Sequence, residues 1–173
     1  MSTFNLNGLK TQIQTILENN NTTTAATTTA TALSGNLNKK VQFISKFNPD
    51  LVFTQVSKFP SLHIFLDNKE ISQDGIAVNQ QNARRNGLVR VNIMGVYQSY
   101  NNTSLDEDRG QENLEQLMEN TEDILRSYPN LDNFAGVQWN MPNNTQYGIS
   151  QSPLDEGVYF RVSILEVDVK VKY

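Results

Sequence analysis

Apolar residues recur at steps of three and four in two segments of the chain, the spacing of an amphipathic helix with one apolar stripe. The first stripe predicts a short helix within residues 4–19 and consists of Leu6, Leu9, Ile13, Ile16 and Leu17. The second predicts a helix from Glu112 to Tyr128, ended by Pro129, and consists of Leu114, Leu117, Met118, Thr121, Ile124, Leu125 and Tyr128. Three carboxylates crowd its start, where they suit the positive end of the helix dipole: Asp106, Glu107 and Asp108.

Elsewhere the apolar positions alternate, as they do in strands with two different faces. This alternation predicts strands at residues 41–47, 61–66, 88–100 and 134–140. Phe59-Pro60 leads the second of these strands, and residues 67–69 resemble a turn that closes it. Gly95, within the long strand, indicates a bulge or the close approach of another element.

The last strand, which begins after Gly157, changes its phase. Its apolar residues occupy even positions up to Ile164 and odd positions from Leu165 onward. Because strand faces alternate strictly, this pattern predicts a β-bulge near Ile164-Leu165 that re-phases the strand. Such a strand would serve two surfaces.

The predicted order is helix, loop, several strands, a long strand, a second helix, a strand and a long final strand. Two-faced strands favour an antiparallel sheet, and two one-striped helices cover one of its faces. The chain is therefore predicted to be a single α+β domain over residues 1–173. The other sheet face is left for solvent or a partner, and its regularly spaced polar positions are Arg90, Asn92, Gln98, Arg161 and Ser163.

Three polar segments connect these elements. Residues 20–36 contain a Thr- and Asn-rich run with little to bury, which predicts either a solvated linker or an arm that orders on a neighbouring subunit. Residues 79–87 form a polar loop around Arg84-Arg85. Residues 141–156, rich in Pro, Asn and Gly, form another loop.

Composition excludes several function classes. The chain has no cysteine, which removes disulfides, thiolate metal sites and cysteine nucleophiles. A formal net charge of -4 leaves no general basic face for nucleic acid. No apolar stretch is long enough for a membrane span, and the first residues lack the basic and apolar regions of a signal peptide. We therefore expect a soluble protein that stays where it is made.

Candidate catalytic groups are sparse. His63 is the only imidazole and has no Ser-His-Asp or two-His-carboxylate set to join, so we predict a structural histidine. The acidic pairs, at residues 106–108 and at Asp155-Glu156, lie in polar stretches where carboxylates keep ordinary properties, so we predict surface charge. No glycine-rich phosphate loop occurs, and nothing in the sequence calls for a cofactor or a metal.

Binding of a partner suits the remaining features better. Arg84 and Arg85 are either simply solvated or dock an acidic surface or a phosphate. Trp139, followed by Met141 and Pro142, is either a core residue or a contact patch. Asp155 and Glu156 lie in the 141–156 loop, where we expect a rim contact.

Five features of the chain recur in one known family. They are the N-terminal amphipathic helix, the strand Phe59-Pro60-Ser61-Leu62-His63-Ile64, the long strand from Leu88 to Tyr97, the Leu-rich helix from Glu112 to Tyr128, and the terminal strand from Gly157 to Val167. In this order they resemble the tail terminator, or tail-completion, proteins of tailed bacteriophages. The resemblance covers most of residues 40–173 without an invariant motif, and the Thr-rich run at residues 22–31 departs from it.

The resemblance implies a structural virion protein of the tail or neck, assembled in the host cytoplasm, and not an enzyme. Such proteins form a ring, usually of six subunits, that caps the tail tube, stops its polymerisation and joins it to the head-side connector or stopper protein. DNA passes through the lumen without specific binding. Six copies carry six times -4, that is -24, and an acidic lumen gives phosphates no counter-charge to hold them. Replacing lumen-facing acids by Lys should then slow DNA passage without preventing ring assembly.

Two alternatives stay open at this point. The first is another neck or head-completion protein or a tail tube subunit; a tube subunit would stack indefinitely, so filament formation distinguishes it. The second, more distant, is a small carboxylate-dependent hydrolase. Changing its acids to amides would abolish turnover; the acids in question are Asp106, Asp108, Asp155 and Glu156.

Overall fold

Five strands form one mixed sheet, and two helices pack on one of its faces. The computed structural model describes residues 4–27, 30–47, 58–73, 85–100, 104–151 and 158–172. In chain order the elements are α1 (Leu6–Asn19), β1 (Phe43–Ser45), β2 (Ser61–Gln73), β3 (Arg85–Tyr100), α2 (Ser104–Ser127), β4 (Val137–Gln151) and β5 (Val158–Lys172). The strands lie in the order β1-β2-β3-β5-β4. The predicted α+β class, with its long C-terminal strand, is confirmed.

One strand pair departs from the antiparallel sheet that the sequence predicts. β1 and β2 run parallel, whereas the other three pairs are antiparallel. A parallel pair needs a crossover connection of about a dozen residues or more, and the chain between Ser45 and Ser61 supplies it. In the strand order, β1 lies at one edge of the sheet and β4 at the other.

Both helices form where the apolar stripes predict them. Asn5 caps α1 by accepting a hydrogen bond from the Gly8 amide at 2.8 Å. α2 begins at Ser104, earlier than the predicted Glu112, so residues 106–108 lie inside its first turns. It ends at Ser127, because a residue that precedes proline disfavours helical backbone.

The helices and one side of the sheet share a single hydrophobic core. Odd-numbered residues of β3 and β5 face each other across the central pair, as Val91 and Val167 do, and both are fully buried. α1 packs on β1 and β2, while α2 packs on β3, β4 and β5. Gly95 lies directly beneath α2 without a register shift, so the predicted close approach is confirmed and a bulge there is not found.

Two segments that the sequence assigns to a turn or a loop are strands. β2 continues through residues 67–69, and a bulge between Leu66 and Asn68 takes the place of the predicted turn. Residues 141–151 belong to β4 and pair with β5 as far as Gln151, so the loop prediction for them is wrong. Polar side chains do not prevent a strand, because its ladder uses backbone groups and side-chain propensity is a weak influence.

The prediction of a bulge near Ile164-Leu165 in the last strand is also wrong. β5 pairs with β3 in an uninterrupted register across Ile164 and Leu165. The irregularities lie in β4 instead, between Val137 and Trp139 and between Pro142 and Asn144. β5 does not change phase: its odd residues face the helices throughout, and its even apolar residues up to Ile164 face the other side of the sheet.

Part of the Thr-rich 20–36 segment packs on its own chain. Leu33 is fully buried, and its amide donates to the Asn20 carbonyl at 2.8 Å. Asn120 of α2 donates its side-chain amide to the carbonyls of Leu33 and Gly35 at 3.1 and 2.9 Å. This end of the segment is therefore fixed to α2, whereas residues 22–27 are exposed and are the part that fits a linker or an arm.

Candidate interaction surfaces

The sheet face opposite the helices, called here the open face, carries the even-numbered side chains of β3 and β5. No described helix packs on it. Arg90, Asn92 and Gln98 lie on this face, as predicted. Arg161 and Ser163 do not, because without a bulge in β5 they face the helices. Arg161 is only 8% exposed and donates from Nη1 to Gln111 Oε1 of α2 at 3.3 Å.

A buried carboxylate holds three strands together on the open face. Arg90 Nε donates to Asp168 Oδ1 at 2.9 Å, and Asn143 Nδ2 donates to Asp168 Oδ2 at 2.9 Å. The Asp168 side chain is 10% exposed and that of Arg90 is 38% exposed, so the cation reaches the surface. The hydrogen bond that Arg90 donates to Asp168, followed by the charge of Asp168, raises the pKa of Arg90. A partner approaching this face meets a guanidinium group whose orientation is already set.

The sequence analysis missed Asp168 and Asn143. The signal for Asp168 is present, because residues 166, 168 and 170 are polar between the apolar odd positions of β5 and so share a face with Arg90. Asn143 gives no comparable signal. It lies where β4 carries an irregularity, between Pro142 and Asn144.

His63 of β2 lies on the open face next to β1, where its ring nitrogens are within hydrogen-bond distance of two serine hydroxyls. Its Nδ1 lies 2.9 Å from Ser45 Oγ and its Nε2 lies 2.9 Å from Ser61 Oγ. The residue is 3% exposed, and burial lowers its pKa from 6.5 to about 4. The imidazole is therefore neutral near pH 7 and engaged at both nitrogens, an arrangement that supports a structural role.

Aromatic side chains cover the same end of the open face. Phe59, which is 2% exposed, packs against Phe160 of β5 with ring centroids 5.1 Å apart. Phe43 of β1 packs edge-on to His63 at 5.9 Å. Phe160, an even apolar position of β5, thus packs on the open face, and this packing accounts for part of the pattern that resembled a change of phase.

The exposed large apolar side chains of the described residues lie at the two sheet edges. Phe47, just after β1, is 70% exposed. At the opposite edge, Met141 and Tyr147 of β4 are 46% and 45% exposed. Trp139 is half-buried two residues before Met141, and both lie on the open face opposite Lys170 and Asp168 of β5. The sequence analysis named Trp139 and Met141 but had no signal for Phe47 or Tyr147.

The other predicted interaction residues lie mostly outside the described part of the chain. Arg84, Asp155 and Glu156 lie outside the described residues. Arg85 is the first residue of β3 and pairs with Gln73. Gln151 and Val158, which bracket Asp155 and Glu156, lie at the opposite end of the sheet, a distance of about 50 Å along β3 at roughly 3.3 Å per residue.

A polar cleft of about 410 Å³ lies between α2 and the segment that follows the Thr-rich run. Side-chain amides and one carboxylate line it: Asn36, Asn38, Glu112, Asn113 and Gln116. The Asn113 Oδ1 atom accepts from the Asn38 amide at 2.8 Å, which fixes one wall. The cleft offers hydrogen bonds and no cluster of titratable groups.

A scan against protein-family models returned no match, and a search of curated proteins returned none either. In the part of the chain that the structure describes, no helix has both the length and the hydrophobicity to cross a membrane. Within those same residues, no three acidic or histidine side chains come together as a metal site.

Proposed function

We propose that this protein is a structural component of a bacteriophage tail, a terminator that assembles into a ring. The observation that carries the proposal is the position of the exposed apolar side chains at opposite edges of one sheet: Phe47 at one edge and Met141 and Tyr147 at the other. Two different contact surfaces on one subunit give heterologous contacts, which close into a ring when the rotation between subunits allows it.

The element order supports the same proposal. An N-terminal helix, a sheet with a long third strand, a Leu-rich helix and a long terminal strand are the features on which the resemblance to tail terminators rests, and each is an element of the fold. In this proposal the ring caps the tail tube, stops its polymerisation and joins the head-side connector. Its net negative charge lets DNA pass without specific binding.

Two distinct edges also suit a tube subunit or another neck protein. These differ from a terminator in how assembly ends, because a tube subunit stacks without limit. The distant hydrolase alternative predicts a turnover that is lost when Asp106, Asp108, Asp155 and Glu156 are changed to amides.

The mass of the purified protein distinguishes these functions. We expect light scattering over a wide range of concentrations to show a closed species near 117 kDa, six times 19.5 kDa, and negative-stain images to show rings. Long filaments of the pure protein would favour a tube subunit instead. A monomer at every concentration would contradict the proposal.

A further inference from the structure

Charge is divided unequally along the order of the strands. Residues 1–63, which contain α1, β1 and the start of β2, hold five lysines against two acids, Glu18 and Asp50. Residues 104–151, which contain α2 and β4, hold nine acids against two arginines. β1 is one edge of the sheet, so the side of the domain that contains it is basic. β4, the other edge, carries no charged residue itself, but α2 holds eight of the nine acids and packs on β3, β5 and β4, so that side of the domain is acidic.

The acidic edge combines a row of carboxylates with an exposed aromatic ring. Glu115, Glu119 and Glu122 are spaced by four and three residues, which places them on one side of α2. Tyr147 of β4 pairs with Ser163 of β5, so its ring lies on the helix side of the sheet. Burial, and then the charges of the three glutamates, raise the pKa of Tyr147. Glu115 and Glu119 are exposed, and Arg126 neutralises part of the row through Glu122 at 2.6 Å.

The basic edge combines lysines with exposed aromatic side chains in the same way. Lys46 follows β1 directly and donates to Thr11 Oγ1 of α1 at 3.1 Å. Lys10 of α1 lies 5.8 Å from the ring of Phe47, and Lys58 lies 4.8 Å from the ring of Phe43. Three ammonium groups thus surround β1 next to the most exposed aromatic residue of the described chain.

We propose that these two edges bind each other in successive copies of the chain, with the basic β1 edge of one subunit against the acidic α2–β4 edge of the next. This inference rests on the proposed function and specifies its subunit contact. The basic and acidic edges attract each other, whereas two edges of the same sign repel each other. Head-to-tail contacts are therefore favoured over two-fold dimers. Charge pairs at an interface rim contribute little binding energy by themselves. In this contact Phe47 and Tyr147 supply the apolar surface that is buried.

A charge exchange tests the pairing directly. One variant reverses the basic edge with Lys46→Glu and Lys58→Glu, and another reverses the acidic edge with Glu115→Lys and Glu119→Lys. In each variant alone the exchanged positions on the two edges carry the same sign and face each other across the proposed contact, so we expect the assembled fraction to fall at least about tenfold. When the two variants are mixed, the exchanged positions of one variant meet opposite charges on the other, and we expect rings of alternating subunits to reappear.

Two controls separate this effect from changes in total charge or folding. Lys170→Glu with Lys172→Glu, on strand β5, makes the same change in net charge as the variant with the reversed basic edge and should leave assembly unchanged. Thermal unfolding of each variant checks the fold. If a reversed variant does not fold, the neutral variants Lys46→Gln with Lys58→Gln and Glu115→Gln with Glu119→Gln replace it, and each should weaken assembly on its own.

The outcomes distinguish the two proposals. Rings in the native protein that persist in both folded reversed variants would overturn the edge pairing and leave the ring function in place. Loss of rings in each variant without recovery in the mixture would also overturn the pairing. A native protein that never assembles would overturn both proposals, whereas recovery in the mixture supports both.

Discussion

Gly95 of β3 lies directly beneath Met118 of α2, so closely that a Cβ atom on Gly95 would stand 2.5 Å from the Met118 Sδ atom and 3.3 Å from Leu114 Cδ1. The helix can approach the sheet at this point only because the strand has no side chain there. We expect Gly95→Val to lower the free energy of unfolding by about 1–3 kcal/mol, the usual cost of overpacking a core. Urea unfolding monitored by circular dichroism measures it.

Gly148 of β4 provides the matched control. It lies in a strand of the same sheet, but a Cβ atom there would meet nothing within 4 Å. Gly148→Val should therefore leave stability unchanged or raise it slightly, because valine favours strands over glycine. Equal losses from both substitutions would show that strand glycines as such, and not the contact with Met118, determine the cost.

The buried imidazole of His63 should make stability depend on pH. Its pKa in the folded protein is about 4, below the unfolded value of 6.5, so below pH 6.5 the unfolded chain takes up a proton that the folded chain does not. The free energy of unfolding should then fall by roughly 3 kcal/mol between about pH 6.5 and pH 4 from this group alone. The full contribution is present above pH 6.5.

Comparison with His63→Gln isolates that contribution. The carboxylates titrate in both proteins, so the difference between the two curves of unfolding free energy against pH reports His63. We expect this difference to change steadily over that interval, in the direction that favours the variant at low pH. Parallel curves would mean that the imidazole takes up its proton as readily in the folded protein as in the unfolded chain.

Local patterns predicted the helices and the central strands, and contacts distant in sequence determined the rest. The stripe from Leu114 to Leu125 and the alternation from Val89 to Ile93 each depend on one face that is buried. The part of β4 after Asn140 escaped prediction because it belongs to an edge strand with polar side chains, held by the backbone of β5. The pairing of β4 with β5 is irregular at two positions of β4, and no residue type in β4 predicts them.

The candidate surfaces were harder to predict for the same reason. Trp139 stood out by its residue type, but its place beside Met141 on the open face follows from the register with Lys170 and Asp168. The serines around His63 come from two other positions, Ser45 on β1 and Ser61 on β2. Their meeting depends on a parallel strand pair that alternation alone does not reveal.

Removing Arg90 should leave the nearly buried Asp168 carboxylate with Asn143 as its side-chain hydrogen-bond partner among the described residues. Loss of one partner from a buried charge is more costly than loss of a surface pair. We expect Arg90→Met to lower the urea midpoint measurably. Arg126→Met, which removes the exposed pair with Glu122, should cost no more than about 0.5 kcal/mol. A loss no larger for Arg90→Met than for Arg126→Met would contradict this account of the open face.

Asn120 fixes the end of the Thr-rich segment to α2 through the two hydrogen bonds to the carbonyls of Leu33 and Gly35. The residue is 6% exposed, so Asn120→Ala leaves these carbonyls without this donor and should lower the free energy of unfolding by about 1–3 kcal/mol. Asn120→Asp keeps the shape of the side chain but cannot donate, and should lower it similarly. Gln116→Ala removes only a donor to Asn120 Oδ1 and should lower it less.

Hydrogen exchange at the Leu33 amide measures the local effect. It should rise in both Asn120 variants more than the change in global stability explains, because the segment can then open without unfolding the sheet. Exchange that rises only in proportion to global stability would show that Leu33 burial alone holds the segment in place.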